Sequence, residues 1–158
     1  MLNEKTKKLL INASILLGAF LASCSILVAF SYLSKKSLNT GLRTAVVKTI
    51  DAYEKGEWRV GEKVDFKSQA SSSAAVFKCS KVKSDKSEYY AVITRIPSIT
   101  GVSPAVFICR KSQAFFAGYA IDNGKLEQII NKENSPVHIK YWENELPDIL
   151  KKGGLFND

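Results

Sequence analysis

The sequence predicts an α+β protein: an N-terminal transmembrane helix and helical stalk, then an antiparallel β-sheet domain with a hairpin repeat, flanked by short helices. Three observations predict it. The run from Leu9 to Leu33 contains no Lys, Arg, Asp or Glu. Further on, a segment of β-rich sequence recurs in duplicate. The stretch just before the β-rich part has apolar residues at the three-to-four-residue spacing of a helix. These patterns divide the chain into a basic tail (1–8), a membrane anchor (9–33), a stalk (34–56) and a domain (57–158).

A helix rises about 1.5 Å per residue, so residues 9–33 extend about 37 Å, against a hydrocarbon core of about 30 Å. Asn12, Ser14, Ser23, Ser25 and Ser31 interrupt the run, but a helix satisfies its own backbone and hides single hydroxyls at small cost. Three readings compete: an uncleaved signal anchor behind Lys5, Lys7 and Lys8; a lipoprotein signal, with Leu21-Ala22-Ser23 before a lipidated Cys24; and a cleaved signal peptide, whose apolar core is normally about 7–15 residues. The length of the run, and the apolar residues Ile26 to Phe30 beyond Cys24, favour the anchor. Basic residues are nearly balanced across it, with Lys5, Lys7 and Lys8 on one side and Lys35, Lys36, Arg43 and Lys48 on the other. A short tail before a long domain usually stays cytoplasmic, which gives a single-pass protein of the cell membrane with residues 34–158 extracytoplasmic.

The stalk carries Leu38, Leu42, Val46, Ile50 and Tyr53 at helical spacing, with a bend expected near Gly41 and an end at Gly56. Its apolar stripe is expected to dock on the domain's sheet, because too few heptads are present for a coiled coil. Trp58-Arg59-Val60 and Val64-Asp65-Phe66 read as a hairpin around Gly61-Glu62-Lys63, and residues 67–73 as a loop. The duplicate follows: Ser73-Ala74-Ala75-Val76-Phe77-Lys78-Cys79-Ser80-Lys81 matches Ser103-Pro104-Ala105-Val106-Phe107-Ile108-Cys109-Arg110-Lys111. Each copy precedes an aromatic pair and an alanine, Tyr89-Tyr90-Ala91 and Phe115-Phe116-Ala117. Two hairpins, with turns at 82–87 and 111–113 and a linker from Pro97 to Gly101, make a four-stranded antiparallel meander. Asp122-Asn123-Gly124 signals a turn, residues 125–132 a short helix, and Asn134-Ser135-Pro136 its end. Val137, Ile139 and Tyr141 alternate as in a strand, and a last helix is expected from Pro147 to Gly153.

The chain has a formal net charge of +8. A basic balance favours anionic headgroups or an acidic partner. Nucleic acid is disfavoured, because the lysines are dispersed and an anchor restricts access. No catalytic or metal site is expected. His138 is the sole histidine, no carboxylate or cysteine stands at a zinc-ligand spacing from it, and there is no nucleophile elbow, Walker loop or dinucleotide fingerprint. Glu143, Glu145 and Asp148 suit a helix start better than acid–base work. Cys79 and Cys109 hold equivalent places in the duplicate, and a disulfide between them is possible if their strands are neighbours outside the cytoplasm. Of the pairs Tyr89-Tyr90 and Phe115-Phe116, one ring each should face inward, leaving the other for partner contact.

Between Pro97 and Pro104, hydroxyls surround Gly101, and backbone amides there are suited to an anion such as phosphate. Thr100-Gly101-Val102-Ser103, the run Ala117-Gly118-Tyr119-Ala120 and the general layout give the chain a faint resemblance: it is similar to the flavin-carrying subunit of the ion-pumping Rnf and Nqr electron-transport complexes. The resemblance implies one N-terminal span, a stalk, and an extracytoplasmic domain that attaches FMN through a threonine in a Ser/Thr-Gly-Ala-Thr type motif. Here Val102 stands for the alanine and Ser103 for the threonine, and the motif lies mid-domain rather than near its end. The leading expectation is therefore a non-enzymatic, membrane-anchored accessory domain that holds other envelope or membrane proteins. The alternative is an FMN-carrying electron-transfer subunit using Thr100, Gly101 and Ser103, and a third reading is a ligand-sensing domain.

Overall fold

The computed structural model describes residues 4–67, 73–82, 87–98, 101–121, 124, 129–130 and 136–156. It confirms the α+β class. Helix α1 (Glu4–Tyr53) is followed by strands β1 (Trp58–Val64), β2 (Ala74–Lys81), β3 (Tyr89–Ser98), β4 (Gly101–Arg110) and β5 (Gln113–Tyr119), then helix α2 (Pro136–Lys152). Two compact units result, Met1–Asn39 and Thr40–Asp158.

The first unit is helix alone. Its apolar side chains face outward all round, Leu16, Phe20 and Leu27 among them, and its most apolar stretch has a mean hydropathy of 2.3. A helix that is apolar on every side needs an apolar environment on every side. By length and composition this one is able to cross a membrane. The Ser23 and Ser25 hydroxyls donate to the carbonyls of Ala19 and Leu21, each at 2.9 Å, which satisfies them within the helix. Cys24 is half-buried and its thiol is free.

The second unit is built on one five-stranded antiparallel sheet in the order β1-β2-β3-β4-β5. Every connection is between neighbours, the simplest path for a chain whose strands are separated by short turns. Both faces of the sheet are apolar, and each has its own core. On one face Val76, Val92, Phe107 and Tyr119 pack with Leu146 and Leu150 of α2, together with Phe66, Ile130 and Phe156. On the other, Phe77, Ala91, Ile93, Val106 and Ile108 pack with Val46 and Ile50 of α1. The docking expected of the stalk is thus observed, and helical structure continues through Gly41. Arg43 secures the helix by donating from Nη2 to the Val60 carbonyl at 2.8 Å.

Four local expectations need correction. The residues expected to form a hairpin between Trp58 and Phe66 form a single strand, β1, with an irregularity between Val60 and Lys63. Gly61-Glu62-Lys63 is a bulge in an edge strand rather than a turn, and with charged Arg59, Glu62 and Lys63 it blunts that edge against further pairing. The expected linker from Pro97 to Gly101 is mostly strand, since Pro97 pairs with Val102 and Ser98 with Gly101. The strand expected at Val137–Tyr141 and the helix expected from Pro147 are one helix, α2, with Pro147 inside it. Ile139, Trp142, Leu146 and Leu150 form its inward stripe, and burial of that stripe outweighs the roughly 3 kcal/mol that an interior proline costs.

The fourth correction concerns the duplicate. Phe77 and Phe107 match in sequence, yet Phe77 aligns through Ala91 with Ile108, one residue further along. A one-residue offset sends equivalent side chains to opposite faces. Phe77 and Cys79 therefore lie in the α1-side core, and Phe107 and Cys109 in the α2-side core. The expected disulfide is ruled out by this arrangement: both thiols are free, strand β3 separates them, and they point away from each other. The expected turns at 82–87 and 122–124, the loop at 67–73 and the helix at 125–132 fall largely outside the described residues.

Candidate functional site

One end of the α1-side face holds a row of aromatic and charged side chains. Its geometry starts with Gly56, whose φ of 72° reverses the chain after α1; only glycine adopts such a value without strain. The reversal brings Trp58 beside Glu54, and the indole Nε1 donates to Glu54 Oε2 at 2.6 Å. The Val82 amide donates to the Glu57 carbonyl at 2.8 Å, extending the pairing of β1 with β2. Lys81, at the end of β2, then reaches both carboxylates, with Nζ 2.9 Å from Glu57 Oε2 and 3.5 Å from Glu54 Oε2. The hydrogen bond to Glu57 is the main reason its ammonium is held above the usual lysine range.

The row continues across the sheet. Lys81 Nζ sits 5.2 Å from the centroid of the Trp58 ring. Trp58 meets Tyr89 edge to face, with centroids 5.1 Å apart and planes at 81°. The Arg110 guanidinium lies 5.9 Å from the Tyr89 centroid. Each ring thus has a cation against it, and the edge-to-face pair suits the aromatic quadrupole, at about 0.5–1.5 kcal/mol beyond area burial. Lys81 is neutralised by two glutamates. Arg110 has no carboxylate partner among the described residues. Trp58 and Tyr89 are half-buried and Arg110 is exposed.

The aromatic pairs divide between the two faces. Tyr90 is buried among the α2-side residues, where its hydroxyl donates to the Leu155 carbonyl at 3.0 Å and its ring packs on Phe156. Burial, with a smaller contribution from Glu88, pushes its phenol up. Tyr89, on the other face, is in the row. Phe116 is half-buried against Phe107 and Tyr119, and its amide donates to Glu143 Oε1 at 3.1 Å. That carboxylate satisfies a donor on the outer side of the edge strand β5, next to its register break. Phe115 points the other way, on the α1-side face next to Ile108, and is 45% exposed.

The remaining candidates lie apart from the row. Ser103 is buried in β4 opposite Ile96, on the α2 side, while Gly101 is exposed with φ 117°. Thr100 lies outside the described residues. A phosphate linked to Ser103 would have to displace its core neighbours. Cys79 is buried and its thiol is pushed up to about 11 by burial, and burial pushes Cys109 higher still; neither is a ready nucleophile. His138 is on α2 and exposed. No group of three or more His, Cys, Asp or Glu residues is placed to hold a metal among the described residues. An open groove of about 570 Å³ runs beside the β1 bulge, lined by Arg59, Glu62, Lys63, Asp65 and Lys78 among others.

Sequence reasoning marks both aromatic pairs, Tyr89-Tyr90 and Phe115-Phe116, without choosing between the rings, and misses Trp58, Lys81 and Arg110. The four-residue spacing of Glu54 and Trp58 was the one available signal for that contact, and it holds only because Gly56 turns the chain between them.

A family model described as "Uncharacterised protein" matches residues 52–155. The chain belongs to that family. The match spans the whole sheet and α2, and begins in the last turn of α1. No curated protein and no solved structure matches the chain.

Proposed function

We propose that this protein is a single-pass, membrane-anchored accessory domain, non-enzymatic, that holds a partner within a membrane complex of the cell envelope, with the sheet domain on the extracytoplasmic side. The observation that carries this reading is α1. Its first part is apolar on all sides, as a bilayer requires. Its last turns supply Val46 and Ile50, which are 0% and 1% exposed in the core of the sheet domain. An element shared between a membrane span and a domain core commits the domain to the membrane, and the half-exposed aromatics of the sheet are suited to an interface.

The test is native electrophoresis of the full-length chain in mild detergent, together with protease treatment of intact cells. The reading expects the protein in a complex larger than itself, and cleavage of the sheet domain only where the outer surface is accessible. A protein that migrates alone, is extracted by alkaline carbonate, or is cut only from the cytoplasmic side would contradict it.

A further inference from the structure

We infer that the row Trp58–Tyr89–Arg110, with Phe115 beside it on β5, is the surface that meets the partner, and that the partner presents an acidic segment there. The inference rests on the accessory-domain reading and adds the contact face and the chemistry of what it meets. Four features lead to it. First, all of these side chains lie on the α1-side face. Phe115 pairs with Ile108 and Gln113 with Arg110, so Phe115 and Arg110 share the face of Ile108. Second, the rings are fixed in place: Tyr89 is held edge-on by Trp58, and Trp58 by Glu54 and Lys81. Preset rings lose little entropy when a partner covers them, and Trp, Tyr and Arg are the residues most often found at interface hot spots.

Third, the charges are unevenly matched. Lys81 is satisfied by Glu57 and Glu54, whereas the exposed Arg110 meets a ring and, among the described residues, no carboxylate. Its guanidinium offers forked donors to a carboxylate, the group it pairs with best. Fourth, Phe115 remains 45% exposed next to a well-packed core, which gives the acidic segment an apolar neighbour. An anionic bilayer surface is a poorer fit, since lipid recognition gathers about four to eight basic residues and this row has one uncommitted cation.

The test places the photocrosslinker p-benzoylphenylalanine at position 115 of the full-length chain in its own membranes. A control chain carries it at position 141, on α2 and therefore on the opposite side of the sheet. The expected result is a protein adduct from position 115 whose partner peptide, sequenced by mass spectrometry, is rich in Asp and Glu. Arg110→Glu should lower the yield about tenfold, and Arg110→Lys should keep most of it, as expected when one attractive charge contact is reversed or retained. Both substitutions are at an exposed position, so a loss of folding, followed by circular dichroism, would not be the cause.

Adducts at 141 but not at 115, an adduct at 115 indifferent to Arg110→Glu, or an adduct to lipid or to a second copy of this basic chain would each overturn the inference. If native electrophoresis still shows a larger complex, the surface is wrong and the accessory-domain reading stands. If the chain migrates alone, that reading has failed as well.

Discussion

The two faces of the sheet are closed in different ways. The α2 side is sealed by residues that follow the sheet in the chain: Ile130, the Leu146–Leu150 stripe and Phe156. The α1 side is sealed by Val46 and Ile50, which belong to the same helix as the apolar run of residues 9–33. Apart from Phe156, one core is thus completed within the family-matched region, residues 52–155. The other borrows its cover from a helix that lies almost entirely before it. The difference teaches that the domain starts before the family match does, because the last turns of the helix that carries the apolar run are also a wall of the sheet domain.

The strongest way to break this comparison is to place a charge in each core. Ile50→Asp and Leu150→Asp each put an unpaired carboxylate at a fully buried position, at a cost of about 4 kcal/mol or more. Urea unfolding followed by tryptophan fluorescence should show both variants unfolded or nearly so. A well-folded Ile50→Asp protein would mean that α1 is not a wall of the domain.

A finer probe is Gly118, at the bulge of β5. Its φ is 145°, and a Cβ added there would lie 3.1 Å from Thr49 Cγ2. Gly118→Ala should cost about 1–2 kcal/mol, from backbone strain and from lifting α1 off the sheet. Adding Thr49→Ser, which removes that methyl, should recover the steric part only. A neutral Gly118→Ala would place α1 further from β5 than the structure does.

On the α2 side, the Thr94 hydroxyl is buried without a hydrogen-bond partner. Thr94→Val should be neutral or stabilise the protein by up to about 1 kcal/mol, because an unpaired buried hydroxyl costs about that much. Destabilisation in thermal unfolding would show that the hydroxyl has a partner in solution.

The effect confined to the narrowest range of conditions concerns pH. Burial raises the Cys79 thiol from 9.0 to about 11, so between these values the unfolded chain loses a proton that the folded chain keeps. The folded state therefore gains nothing from this group below pH 9 and loses relative stability as pH rises from 9 to 11. Cys79→Ala should flatten that part of the stability profile. An unchanged slope would mean that the thiol is solvated in the folded protein.

How much of this was legible in the sequence depends on which physical signal each element left. The strands of the meander are short apolar runs rich in Val, Ile, Phe and Tyr, as strands covered on both faces are, and their turns are polar, so β2 to β5 can be read from the chain. Residues 137–141 alternate apolar with polar as a half-buried strand does, but Ile139, Trp142, Leu146 and Leu150 also fit a helical stripe. Only the apolar face waiting for them decides between the two. Gly61-Glu62-Lys63 has turn chemistry, yet a bulge uses the same residue types. The duplicate misled about Cys79 and Cys109 because similarity along the chain does not fix register across a sheet. The candidate site was half visible: the pairs Tyr89-Tyr90 and Phe115-Phe116 stand out as aromatics, whereas Arg110 and Lys81 acquire meaning only once β1, β2, β3 and β4 are side by side.

The most direct test of the shared wall compares two shortened chains, residues 40–158 and residues 52–158, by urea unfolding and binding of a hydrophobic dye. The first keeps the α1 turns that carry Val46 and Ile50, and the second keeps only the family-matched region onward. The account predicts cooperative unfolding without dye binding for 40–158, and loss of cooperativity with strong dye binding for 52–158. Equal stability of the two would contradict it.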